Sequence, residues 1–285
     1  MNDSQSPAAA YAEFRARAER DQTPLGRFIA RTDFALDDFQ LEACTELQEG
    51  KDVLVTAPTG AGKTIIAEFA VDLAMDEGKR VFYTTPIKAL SNQKFADLVA
   101  VHGAENVGLL TGDTSIRRDA PIIVMTTEVL RNMLYNDPEG LDDLGFVVLD
   151  EVHYLADRFR GPVWEEVIIH LPERVQVVSL SATVSNVEEF GAWLREVRGP
   201  TTVISTSHRP VPLVNHALVG HRMYDLFTHH DSERIDPALS HATRTYGGPR
   251  SKRERGAKAR FRRPSRTQIV ASLAEAGMLP AIMFI

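Results

Sequence analysis

The stretch Val53-Leu54-Val55-Thr56-Ala57-Pro58-Thr59-Gly60-Ala61-Gly62-Lys63-Thr64 decides how the rest of the chain is read. A short apolar run enters a glycine-bearing turn, after which Ile65, Phe69 and Leu73, with Ile66, Ala70 and Ala74, form one apolar stripe at helical spacing. Glycines let such a turn close tightly, so that consecutive backbone N–H groups can point at phosphate oxygens. The helix N-terminus adds a positive dipole, Lys63 a formal charge, and Thr64 a hydroxyl suited to Mg²⁺. Ala57 stands where the generic pattern has its first glycine. Residues 57–64 are therefore the expected phosphate cradle of a nucleotide site.

Outward from this stretch, short apolar runs recur at Val81-Phe82-Tyr83, Val107-Gly108-Leu109-Leu110, Ile122-Ile123-Val124-Met125, Phe146-Val147-Val148-Leu149 and Val175-Gln176-Val177-Val178. Most are unbroken rather than alternating, as strands covered on both faces of a parallel sheet must be. Helical stretches separate them: Gly161-Pro162 opens one, with Val163, Trp164, Val167 and Ile168 on one face, and Ser185 to Glu188 has capping-box spacing before another. Strand–helix alternation of this kind predicts an α/β fold, doubly wound on a mostly parallel sheet.

A second acidic element, Asp150-Glu151-Val152-His153, follows the run Phe146–Leu149 directly. Asp150 would end a central strand at the carboxyl edge of the sheet, where open α/β folds bind ligands. One carboxylate there holds Mg²⁺ while its neighbour orients or deprotonates the attacking water. Loop and acidic box together imply a Mg²⁺-dependent nucleoside triphosphatase.

Further motifs sit at other strand ends. Asp37-Asp38-Phe39-Gln40 precedes the loop, Pro86-Ile87-Lys88-Ala89-Leu90-Ser91-Asn92-Gln93 follows the second strand, and Thr111-Gly112-Asp113 the third. Thr126-Thr127-Glu128-Val129-Leu130-Arg131 follows the fourth and Ser181-Ala182-Thr183 the sixth. In their order and placement they closely resemble the first RecA-like lobe of a superfamily 2 DExH-box helicase. The Asp-Phe-Gln start, the Asp-Glu-Val-His box and Arg209-Pro210-Val211-Pro212-Leu213 look like the Ski2/Mtr4-like branch. The resemblance covers residues 34–227 and resumes at Arg266.

The resemblance implies a P-loop, RecA-like fold, ATP with Mg²⁺ as cofactor, and roles position by position. Ala57, Pro58, Thr59, Gly60, Ala61, Gly62, Lys63 and Thr64 would hold the phosphates. Gln40 would read the adenine edge, with Phe34 or Phe39 nearby; Phe39 reads equally as core. Thr64 and Asp150 would carry Mg²⁺, Glu151 would be the catalytic base, and Lys63 and Asp150 would complete the catalytic set. His153, Ser181, Ala182 and Thr183 would couple nucleotide state to the strand-binding surface. Pro86, Lys88, Asn92, Gly112, Asp113, Thr127, Glu128 and Arg131 would line the path of a single strand, touching phosphate and sugar without reading sequence. Electrostatically, Glu128 is better placed capping the helix that follows it than facing a polyanion. The partner implied is single-stranded nucleic acid, RNA in preference to DNA, together with a second RecA-like lobe; translocation is implied to run 3′ to 5′.

Composition bounds the rest. Hydrophobic residues make up 44% of the 285 and charged residues 25%, which excludes disordered and fibrous classes. The single cysteine, Cys44, rules out an intramolecular disulfide and points to a reducing compartment. With no signal-peptide pattern at Met1–Pro7 and no apolar run near ~20 residues, the expectation is a cytoplasmic protein without membrane contact. Nine basic residues and one acid between Pro249 and Arg266 give a local charge of +8 in a chain of net −7, leaving −15 on the remainder. Any polyanion contact must therefore be local.

The expected organisation is an N-terminal extension over 1–33, an ATP-binding RecA-like domain over 34–222, a linker with the basic stretch over 223–265, and the start of a second RecA-like lobe over 266–285. Residues 8–20 read as a helix that Thr23-Pro24 interrupts, 229–265 as a mobile linker, and Ala281–Ile285 as a strand. The histidines between His221 and His241 have no paired spacing for a metal. Two other readings stay open: a P-loop kinase or transporter-type ATPase, and a lobe that binds nucleotide or RNA without turnover. Because the resembled family supplies positive charge opposite the loop from arginines of a second lobe, residues 1–285 alone are expected to hydrolyse ATP near the background rate.

Overall fold

The computed structural model describes residues 22–136, 138–183, 186–220, 222–228, 231–247 and 264–284. The helix expected over 8–20, the residue Ser185 and most of the basic stretch lie outside them. The chain divides into two compact units, Met1–Pro210 and Val211–Ile285.

In the first unit the described elements run α1 (Pro24–Arg31), α2 (Asp38–Gln48), β1 (Asp52–Thr56), α3 (Thr64–Asp76), β2 (Arg80–Thr85), α4 (Lys88–His102), β3 (Val107–Thr111), β4 (Thr114–Ile116), β5 (Ile122–Thr126), α5 (Thr127–Asn136), β6 (Leu144–Leu149), α6 (Gly161–His170), β7 (Gln176–Ser181), α7 (Val187–Arg198) and β8 (Thr201–Ser205). The strands form one sheet in the order β4-β3-β5-β2-β6-β7-β1-β8. Every neighbouring pair is parallel except β3 and β4.

The unbroken apolar runs are strands because each feeds two cores at once. Val53 and Val55 join one buried cluster and Leu54 the other; Val81 and Tyr83 part from Phe82 in the same way, as do Phe146 and Val148 from Val147 and Leu149. The first core includes Phe28, Leu47, Ile66 and Phe69 from α1, α2 and α3, and the second Trp164, Val167 and Ile168 from α6. Two strands of this sheet escape the sequence reading. β8 has only Val203 and Ile204 as large apolar residues and pairs with β1 at the sheet edge, while β4 is a three-residue antiparallel return on β3.

Thr23-Pro24 also opens a helix of its own, α1. The Thr23 hydroxyl accepts from Gly26 N–H at 3.0 Å, and proline in the first turn has no N–H to leave unpaired. Phe28 then meets the Phe69 ring edge-on at 5.3 Å, which fixes α1 against α3.

The second unit holds two short antiparallel pairs, β9 (His216–Val219) with β10 (Arg222–Asp225) and β11 (Phe227–Thr228) with β12 (Asp231–Ile235), followed by α8 (Pro237–Gly247) and α9 (Arg266–Glu275). β12 and α8 occupy a stretch that the sequence reads as linker. Asp236 supplies the missing signal: its carboxylate accepts from Ala238 N–H at 2.6 Å, and Pro237 opens the helix. The resumed helical pattern near Thr267 is α9, capped by Ser265 and Gln268. Ala281–Phe284 is not a strand, since a strand exists only as a paired ladder and no described strand lies alongside it.

Candidate functional site

The loop between β1 and α3 takes its shape from two glycines with positive φ, Gly60 at 85° and Gly62 at 82°. A side chain at Gly62 would also meet a neighbour, because its Cβ would lie 2.6 Å from Gln40 Nε2. Gln40 is buried and both ends of its amide are engaged. Its Oε1 accepts from Asp37 N–H at 2.8 Å, closing the cap of α2, and its Nε2 donates to Gly62 O at 3.0 Å. Gln40 is thus a strut between α2 and the phosphate loop, beside a cleft of about 550 Å³. Asp37, Asp38, Phe39, Ser205, Thr206 and His208 line that cleft. Phe39 packs against the core, as one of its two readings expects, and also lines the cleft. Phe34 is exposed.

Lys63 lies half-buried at the start of α3, its Nζ donating to Ala57 O at 2.7 Å and Pro58 O at 3.2 Å. Burial pushes its pKa down, while the charges of Glu151 and Asp150 push it up. Both carboxylates of the acidic box therefore act on the phosphate-loop cation, although β7 separates β1 from β6 in the sheet. The hydroxyl of Thr64 and the carboxylate of Asp150 are hard oxygen donors of the kind Mg²⁺ takes, and the local charge balance suits a Mg²⁺-phosphate group.

Asp150 is fixed on three sides. Its N–H donates to Thr84 O at 3.0 Å, its Oδ1 accepts from Glu151 N–H at 3.0 Å, and its Oδ2 accepts from the Tyr83 hydroxyl at 2.9 Å. Tyr83 is the residue that sequence reading missed. Its ring belongs to the core cluster, and burial first, then the Asp150 charge, raises its pKa well above that of a free phenol. The available signal is a polar tip in the apolar run Val81-Phe82-Tyr83 of a central strand, which a buried tyrosine must satisfy. Glu151 follows in the left-handed region, φ 58° and ψ 41°.

The Ser-Ala-Thr segment is stitched to both motifs. Ser181 stands opposite Thr56 in the β1–β7 register, and Ala57 N–H donates to its carbonyl at 3.2 Å. Its own hydroxyl is buried and has no hydrogen-bond partner among the described residues. Ala182 N–H donates to His153 Nδ1 at 3.4 Å, and the same nitrogen lies 3.3 Å from Glu151 Oε2. One nitrogen serves one of these at a time: unprotonated it accepts from Ala182, and protonated it donates to Glu151. Thr183 is exposed.

The residues expected along a strand path divide by exposure. Lys88, Asn92, Gly112 and Asp113 are exposed, Glu128 and Arg131 partly so, and Pro86 and Thr127 are buried. The Thr127 hydroxyl donates to Thr85 O at 3.3 Å, tying α5 to β2. Lys88 Nζ donates to both Asp113 carboxylate oxygens, at 2.7 and 2.6 Å, which lowers the pKa of Asp113. Glu128 stands in the first turn of α5, where its charge suits the helix dipole. Among the described residues, no group of His, Cys, Asp and Glu is arranged to hold a metal by itself, and no helix is long and apolar enough to cross a membrane.

A family model described as DEAD/DEAH box helicase matches residues 37–190. Over 280 residues the chain is 53% identical to "Probable helicase HelY" of Mycobacterium leprae, covering 93% of this chain and 30% of that one. It is 50% identical over 183 residues to "ATP-dependent RNA helicase mtr4" of Schizosaccharomyces pombe, covering 63% of this chain and 16% of that one. Among solved structures, Mycobacterium smegmatis helicase Lhr bound to ssDNA and AMP-PNP aligns with a TM-score of 0.54 and 28% identity, over 64% of this chain and 28% of that chain. The chain thus spans less than a third of the length of each of these relatives.

Proposed function

Because the chain belongs to the DEAD/DEAH box helicase family, we propose that it is the ATP-binding first motor lobe of a helicase that couples ATP hydrolysis to movement along single-stranded nucleic acid, RNA in preference to DNA. The observation that carries this reading is the meeting of Lys63, Asp150 and Glu151 at one carboxyl edge of the sheet, with Ser181 and His153 joining loop and box. A relative named as an RNA helicase supports the preference for RNA. A more distant one, solved with single-stranded DNA, keeps DNA as the comparison to run.

In this reading Lys63 and the backbone N–H groups of residues 60–64 bind the phosphates, and Lys63 exchanges its two carbonyl partners for them. Thr64 and Asp150 would hold Mg²⁺, which when bound neutralises charge on the β- and γ-phosphate oxygens. Tyr83 keeps the Asp150 carboxylate in one orientation. Glu151 accepts the proton of the attacking water, and His153, moving between Ala182 and Glu151, passes the change to the sheet edge. Residues 34–222 would form this lobe, with 266–285 beginning a second one. A lobe that binds nucleotide or RNA without turnover is the alternative, which the hydrolysis test below separates from it.

The test is hydrolysis by the full-length protein with single-stranded RNA, single-stranded DNA or neither. RNA should stimulate more than DNA, and Glu151→Gln should keep ATP binding while slowing hydrolysis by roughly 10²–10⁴-fold. Parent-like hydrolysis by Glu151→Gln removes the base assignment. Residues 1–285 alone should remain near the background rate, and RNA-stimulated turnover from them would remove the dependence on a second lobe.

A further inference from the structure

The turn Asp157-Arg158-Phe159-Arg160, between the acidic box and α6, holds a large apolar ring in solvent by construction. Phe159 is 85% exposed. A slack loop could fold such a ring back onto the protein, but this one is pinned. The Asp157 carboxylate accepts from the N–H groups of both Phe159 and Arg160 at 2.9 Å, Asp157 N–H donates to Tyr154 O at 2.9 Å, and Gly161 N–H donates to Asp157 O at 2.7 Å. Gly161 is required where the turn closes, because a Cβ there would collide with the Leu155 carbonyl. Exposure of this ring contributes nothing to the fold, and an ordered backbone keeps it out.

Position and charge narrow what the ring is for. Arg160 lies over the Tyr154 ring at 5.6 Å and donates through Nη1 to Pro86 O at 3.3 Å. The turn is therefore anchored to the start of the segment that carries Lys88 and Asn92, since β6 and β2 are neighbours in the sheet. An exposed aromatic between two arginines, on a chain that is acidic overall, pairs a stacking face with local positive charge. That pairing suits a polyanion carrying planar groups better than it suits an apolar protein surface.

We propose that Phe159 is a stacking platform for a base of a single strand lying along the Pro86–Asn92 edge, with Arg158 contacting the adjoining phosphate. The proposal rests on the strand-binding reading above and adds a contact that none of the motif positions supplies. Stacking is indifferent to base identity, so the platform would grip the strand without reading its sequence.

Fluorescein-labelled oligouridylate and oligothymidylate of about 12 nucleotides, titrated with the 285-residue chain at about 50 and about 200 mM salt, provide the test. Phe159→Ala and Phe159→Leu should both weaken binding roughly 5- to 150-fold, Phe159→Trp should restore it, and thermal midpoints should not move. Lys88→Ala reports separately on the edge itself, by lowering the salt slope. Parent-like binding by Phe159→Leu overturns the platform, since a merely apolar contact tolerates leucine. If Lys88→Ala weakens binding while no Phe159 variant does, the edge stands, the platform falls, and a protein partner becomes the reading of the exposed ring. No binding by the parent at either salt overturns the edge and the platform with it.

Discussion

Lys63 and Lys88 occupy equivalent places, each at the start of a helix that follows a strand of the same sheet, yet the two are held in opposite ways. Lys63 is half-buried and its Nζ donates to two backbone carbonyls, which cannot move unless the loop does. Lys88 has a side chain 45% exposed and, among the described residues, pairs with Asp113, itself 68% exposed. The first is positioned by backbone geometry; the second is positioned by another exposed side chain. One place in the lobe is thus held by fixed backbone, and the other by a partner at least as exposed as itself. The lesson is where mutational sensitivity should concentrate.

If that contrast holds, the largest effect belongs to Lys63→Ala, which removes the only formal charge in the loop. ATP affinity, read by titration with a fluorescent analogue, should fall roughly 10- to 150-fold, the range of a charge-assisted hydrogen bond. A loss below about threefold would mean that backbone N–H groups alone hold the phosphates.

Next comes Tyr83→Phe, which keeps the ring and deletes the hydroxyl that orients Asp150. We expect a loss of about 0.5–1.5 kcal/mol in stability by denaturant titration. The pH dependence supplies a signature that a packing change would not give. Folding raises the Tyr83 pKa, so the unfolded chain releases its proton first. Its contribution is complete below about pH 10, the free phenol value, and declines as the pH climbs beyond it. The parent should lose this increment in alkali, and Tyr83→Phe should not.

The smallest effect sharpens the contrast from the other side. Asp113→Asn should leave the unfolding midpoint unchanged, as exposed ion pairs contribute little. By freeing Lys88 it should tighten oligonucleotide binding by at most about fivefold. A marked loss of stability would show that the Lys88–Asp113 pair is structural after all.

The same contrast explains what the sequence could and could not tell. Gly60, Gly62, Lys63 and Asp150 were legible because a tight turn and a strand end accept few residue types, so identity and geometry are nearly the same information. The two-sided sheet was legible for the same reason, from Val53-Leu54-Val55 and its counterparts. Gln40 was legible as a position but not as a strut, since its partners are carbonyls of residues 61 and 62, and a carbonyl has no signature in the sequence. Tyr83 was hidden by its own hydrophobicity. β8 and α8 were hidden because an edge strand and a short capped helix need few apolar residues. At the strand edge, burial of Thr127 and Pro86 could not be anticipated from motif order, which fixes sequence position and not solvent exposure.

Glu151 has a consequence for anyone who would harden this lobe. A residue with a Cβ in the left-handed region at φ 58° loses about 1–2 kcal/mol relative to ordinary backbone, and glycine there would recover much of it. In a library screened for heat endurance alone, Glu151→Gly would rise toward the top, discarding the carboxylate assigned to the attacking water. Against a net stability of about 5–15 kcal/mol for a typical domain, that is a standing temptation. Selection for endurance and selection for turnover pull this one codon in opposite directions.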